Sequence, residues 1–136
     1  MALLPWGCTA ADAVRLANPL LRQGHSLDIG VMQVNSRWLT IDHLPLAKLF
    51  DPCFNIAVGT RILAASYRGY HHQSGDAAAA LTQALSTYNT GSPTAGRAYV
   101  TRVVAAARHV DWINIASRAP HATLSFTDSA ALFFSP

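Results

Sequence analysis

Eight residues in this chain concentrate groups able to do chemistry: Asp28-Ile29-Gly30-Val31-Met32-Gln33-Val34-Asn35. Gln33 and Asn35 each offer a donor and an acceptor, the combination that acetamido and hydroxyl groups of a sugar require. Met32 supplies a flexible apolar surface for a sugar face. Gly30 lets the backbone approach a ring closely. Further along, Tyr88 and Asn89 stand at the mouth of a glycine-containing loop and can hydrogen-bond a bound glycan from another side. The competing reading places Met32 and Tyr88 in the core and makes Gln33 and Asn35 helix caps. His25 and Trp38 are weaker candidates, as surface or core residues on one reading and sugar contacts on the other.

The acids limit what such a site can do. All seven acidic residues are aspartates: Asp12, Asp28, Asp42, Asp51, Asp76, Asp111 and Asp128. The chain contains no glutamate. Asp28 is the one acid inside the motif. It is either a catalytic acid, with Tyr88 in support, or a structural acceptor for amides of the Gly30 loop. The other six read as caps or surface charges. No cysteine or histidine spacing matches a zinc site, and His71-His72 falls in a predicted turn, so no metal and no cofactor are expected.

These groups need elements to hold them. Thr9-Ala-Ala-Asp12 reads as a variant capping box opening a helix over about 10–23, interrupted or kinked by Pro19 and stopped at Gly24. Residues 25–32 read as a loop or short extended piece, and Gln33 to Leu39 as a short helix with Trp38 and Leu39 as core anchors. Asp51-Pro52 is a strong helix start. Phe54, Ile56, Ala57, Val58, Ile62, Leu63, Ala65 and Tyr67 give the helix that follows a wide apolar face, so it is predicted to be central, running to about Tyr70. Asp76 caps a helix over Ala77 to Thr87, residues 88–93 form a loop, and a last helix covers about Ala95 to His109. Residues 118–136 read as a poorly ordered tail whose Leu132-Phe133-Phe134 run could add a strand or bind a partner.

Composition fits one folded domain: 136 residues, 51% hydrophobic, 12% charged. Formal net charge is +3, from nine arginines and one lysine against the seven aspartates. The basic residues are scattered singly, which argues for a solvated face and against nucleic-acid binding. No stretch of 18 apolar residues exists and no export signal is visible at the recorded start, whose apolar run is broken by Pro5. Cys8 and Cys53 permit one disulfide in an exported protein; a small buried hydrophobe accounts for Cys53 equally well.

Three segments together resemble the soluble lytic transglycosylases, most closely the group that accompanies type IV secretion systems. They are Gly24-His25-Ser26-Leu27-Asp28-Ile29-Gly30-Val31-Met32-Gln33-Val34-Asn35-Ser36, the stretch from Phe50 to Leu63, and Leu85-Ser86-Thr87-Tyr88-Asn89-Thr90-Gly91. Their order and spacing agree with the family over about residues 10–108. The resemblance implies an all-α, lysozyme-like domain over 1–117, incomplete at its N-terminus, and a location in the periplasm or cell envelope. It implies peptidoglycan glycan strands and type IV secretion components as partners.

In members of that family one glutamic acid protonates the oxygen between N-acetylmuramic acid and N-acetylglucosamine. The muramic O6 hydroxyl then attacks C1 and leaves a 1,6-anhydro end. A proton donor of this kind needs a partly apolar site. By resemblance the glutamate belongs in a helix before residue 10, and Met1 to Thr9 hold no acid. Two functions therefore stand: a peptidoglycan-cleaving enzyme, or a glycan-binding or scaffold protein that does not cleave.

Overall fold

The structure is a computed structural model that describes residues 9–110. The expectations for the 118–136 tail and for a Cys8–Cys53 disulfide lie outside those residues. The described chain is helical apart from one two-stranded hairpin, in the order α1 (Ala10–Arg22), β1 (Asp28–Ile29), β2 (Val34–Asn35), α2 (Arg37–Ile41), α3 (Leu46–Leu49), α4 (Pro52–Ser74), α5 (Ala77–Thr90) and α6 (Arg97–Ala107). This is the all-α class expected from the sequence. The chain divides into two compact units, one through Ala84 and one from Leu85 onward.

In the first unit, α1 begins at the expected capping box. The Thr9 hydroxyl accepts from the Asp12 amide, and the Asp12 carboxylate accepts from the Thr9 amide. Pro19 does not interrupt the helix, which is continuous through Arg22. Gly24, at φ +81°, closes it in a Schellman arrangement: His25 N–H donates to Leu20 O and Gly24 N–H to Leu21 O, both at 3.0 Å. Ala17 is buried, and α1 packs on α3, which packs on α4.

The predicted helix over Gln33 to Leu39 is not formed as such. Val34 and Asn35 are a strand, paired antiparallel with Asp28 and Ile29 in the register Asp28↔Asn35 and Ile29↔Val34. Strand side chains alternate between faces, so this register buries the apolar pair and turns the polar pair outward. Ile29 is 3% exposed and Val34 1%. Burial of that pair overrides any local helical tendency, and α2 starts only at Arg37. Trp38 and Leu39 are half-buried flank residues of α2 and not core anchors.

α4 starts where Asp51-Pro52 predicts, with the Asp51 carboxylate accepting from Phe54 N–H at 2.7 Å. It ends later than expected. Residues 71–74 are helical and not a turn, because no breaker precedes Gly75, which takes φ +69°. Its buried stripe is Asn55, Val58, Gly59 and Ile62, at helical spacing. Ile56 and Ala57, assigned from the sequence to the apolar face, are exposed. Cys53 is exposed too, so it is not a buried small hydrophobe.

Asp76 caps α5 as expected, accepting from Ala78 and Ala79 amides. The helix then runs to Thr90, three residues past its predicted end, so Tyr88 and Asn89 lie in its last turn and not in a loop. In the second unit, the Ser92–Gly96 connection leads into α6, whose Val100 is buried.

Candidate functional site

The hairpin gathers most of the residues singled out by chemistry. On its outward face Asn35 Nδ2 donates to Asp28 Oδ1 and to Ser26 Oγ, each at 2.9 Å. Asn35 Oδ1 accepts from the Arg37 amide at 3.1 Å, the first residue of α2. Asn35 is therefore both a partner of Asp28 and a helix-start acceptor. Asp28 is exposed and accepts from this side chain; it does not gather the amides of the Gly30 loop, as one structural reading of it supposed.

Those amides are handled otherwise. The turn from Gly30 to Gln33 closes with Gln33 N–H donating to Gly30 O at 3.0 Å. Gln33 Nε2 donates to the same oxygen at 2.9 Å, so the side chain folds back over its own turn. Gln33 holds φ +52°, a conformation that L side chains rarely adopt. Met32 N–H donates to Asn55 Oδ1 at 2.8 Å.

Asn55 is the residue that the sequence reading left without a role. It is fully buried on α4. Its Nδ2 donates to Ile29 O at 2.9 Å and to Leu49 O at 2.8 Å. One amide thus ties the hairpin to α4 and to the end of α3. A Cβ placed on Gly30 would lie 2.3 Å from Asn55 Nδ2 and 2.4 Å from its Cγ. The glycine is required there by Asn55, and by its own φ of +71°. The signal in the sequence was an amide at helical spacing with Val58 and Ile62, where a buried polar group must find partners.

In the second unit, Tyr88 is half-buried and Asn89 exposed. Ser86, buried one half-turn earlier, donates to Ser92 O at 2.6 Å and accepts from Gly96 N–H at 2.8 Å. Thr90 Oγ1 donates to Ser86 O at 2.9 Å. These bonds hold the connection that follows Tyr88 and Asn89. No group of three or more histidine, cysteine or acidic side chains is placed to hold a metal among the described residues. No described helix is long and apolar enough to cross a membrane.

The family model described as the transglycosylase SLT domain matches residues 12–108. Among curated proteins, Protein virB1 of Agrobacterium fabrum is 35% identical over 102 residues, covering 74% of this chain and 41% of the relative. The type IV secretion system protein virB1 of Brucella abortus is 34% identical over 104 residues, covering 71% of this chain and 44% of the relative. The chain spans less than half the length of these relatives. No solved structure matches. The match contains the hairpin, α4 with Asn55, and the Ser86–Asn89 segment, so the chain belongs to the transglycosylase SLT domain family, with its lysozyme-like helical fold.

Proposed function

We propose that this chain handles peptidoglycan glycan strands as part of a lytic transglycosylase serving a type IV secretion apparatus in the cell envelope. The observation that carries the reading is the hairpin. Inside the matched region it presents Asp28, Asn35 and Ser26 as one hydrogen-bonded polar surface facing solvent. Gln33 and Met32 stand in the adjoining turn. Such a surface offers donors and acceptors to sugar hydroxyls and acetamido groups at fixed positions. Tyr88 and Asn89 are proposed as further glycan contacts, Tyr88 through its hydroxyl and ring face.

The cleavage step needs a proton delivered to the glycosidic oxygen as its bond to C1 breaks. The muramic O6 must then lose its proton as it bonds to C1. One carboxyl group can do both in turn. This chain has no glutamate, and Asp28 is exposed where a proton donor calls for partly apolar surroundings. Asp28 is accordingly proposed to orient sugar hydroxyls. The same two facts favour a second reading, in which the protein binds glycan as a scaffold and does not cleave.

Incubation with purified sacculi tests both readings, with bound protein measured by sedimentation and soluble products by mass. Binding without a 1,6-anhydro product is the expected result for this chain. Anhydro product that disappears in Asp28→Asn would make Asp28 the proton donor and sink the scaffold reading. Absence of binding at low and moderate salt would remove the glycan proposal altogether.

A further inference from the structure

We infer that Asn55 is a positioning residue for glycan binding: from a fully buried place on α4 its amide sets the shape of the Gly30–Gln33 turn. This rests on the hairpin being the glycan surface. Asn55 has no exposure, so it touches no ligand itself. What it does is fix backbone at the entry to the turn and inside it. Ile29 O is held before it and Met32 N–H within it, and Leu49 O anchors the amide from the far side.

The chemistry selects asparagine. The site uses two N–H donors and one acceptor oxygen on a short planar group. Aspartate keeps the acceptor for Met32, but offers Ile29 and Leu49 no donor when ionised and a single one when protonated. Leucine keeps the volume and satisfies none of the three. Glutamine is one methylene too long for a space already closed by Gly30. The Gly30 Cα lies against this amide so closely that a Cβ would overlap Nδ2, Cγ and Oδ1.

That contact has a consequence for Gln33. With Gly30 held at φ +71°, its carbonyl receives both the backbone and the side-chain N–H of Gln33. Gln33 is thereby kept in a left-handed conformation that a free loop would leave. The turn is preformed, and a ligand meeting it need not order it first.

The test separates positioning from mere support. Binding of an N-acetylglucosamine tetramer is measured by calorimetry on wild type, Asn55→Asp and Val58→Ala, each at a temperature where its far-ultraviolet spectrum is native. Val58 is buried on the same stripe of α4 and makes no bond to the turn, so its variant reports plain loss of stability. The inference expects Val58→Ala to melt earlier with unchanged affinity, and Asn55→Asp to bind about tenfold more weakly while folded, as loss of roughly 1.4 kcal/mol would give. Equal affinity in folded Asn55→Asp, or an equal loss in Val58→Ala, overturns it while leaving the glycan reading intact. Failure of wild type to bind overturns the glycan reading first.

If Asn55→Asp does not fold, hydrogen exchange on the wild type decides. The Met32 amide must be protected as strongly as amides inside α4. Exchange at the rate of an open loop, with α4 protected, would show that Asn55 does not hold the turn.

Discussion

Two loops in this molecule are fastened by the same device, a buried polar side chain pressed against a glycine. In the first unit Asn55 holds the hairpin turn against Gly30; in the second Ser86 holds the 91–96 connection against Gly96. The two differ in reach and in strain. Asn55 reaches the hairpin 23 and 26 positions away, besides Leu49 six away, whereas the Ser86 hydroxyl bonds residues 6 and 10 away. Gly30 sits at φ +71°; Gly96 sits at φ −92°, where any residue is at ease. The Ser86 fastening is made within one helix and its own following loop. The Asn55 fastening exists only once α3, α4 and the hairpin have come together. Loop-closure entropy makes the second kind the costlier to form.

Glycine substitution is the severest way to break the comparison. Gly30→Ala meets Asn55 at 2.3 Å and also forces a side chain into the left-handed region. The two effects together predict a loss of about 3 kcal/mol in urea unfolding. Gly96→Ala meets Ser86 Cα at 2.9 Å with no strain in φ. It has one source of cost, so about 1–2 kcal/mol is expected. If the two losses are equal, left-handed strain at Gly30 contributes nothing and the distinction between the loops fails.

Removing a fastening atom is milder and sharpens the contrast. Ser86→Ala leaves the Gly96 N–H and Ser92 O without their shared partner. A loss of about 1–2 kcal/mol follows, with the effect on hydrogen exchange confined to residues 91–96. Disturbance spreading into the hairpin would show that the Ser86 fastening is not local.

The same division governs what could be read from the sequence. Helices with local signals were legible: Thr9 to Asp12 at the start of α1, Asp51-Pro52 at α4, Asp76 at α5. Each start is set within four residues, so the chain announces it. The first strand falls in the stretch 25–32, which reads as a loop or short extended piece, whereas the second replaces a predicted helix because burial of the Ile29–Val34 pair is not visible locally. α4 and α5 run past the ends their composition suggests, because neither the histidines after Tyr70 nor the Tyr-Asn-Thr after Thr87 break a helix. The hairpin and its turn carry Asp28, Gly30, Met32, Gln33 and Asn35, the residues that chemistry alone singles out in the sequence. Asn55 was passed over because its role depends on groups more than twenty residues away. Gly30 was assigned to a sugar contact for its lack of a side chain, and the space that lack creates on its Cβ side belongs to Asn55.

A third cluster sets the lower end of the scale. The Asp12 carboxylate also accepts three hydrogen bonds, from the Thr9 amide, the Thr9 hydroxyl and Arg15 Nη2. Arg15 first, then Thr9, lower its pKa from 3.8 to about 2. A carboxylate whose pKa is depressed on folding stabilises the fold above its unfolded value and loses that contribution as pH falls through the folded one. The benefit is therefore complete above about pH 4 and fades between about pH 4 and pH 2. Comparing wild type with Asp12→Asn by thermal melting should show a small gap at pH 6 that closes as pH falls to 2. Asn55 has the same number of bonds in full burial, while solvent screens those of Asp12. A gap at pH 6 as large as the loss in Gly30→Ala would mean that bond number, and not burial, decides how firmly this chain holds its loops and helix ends.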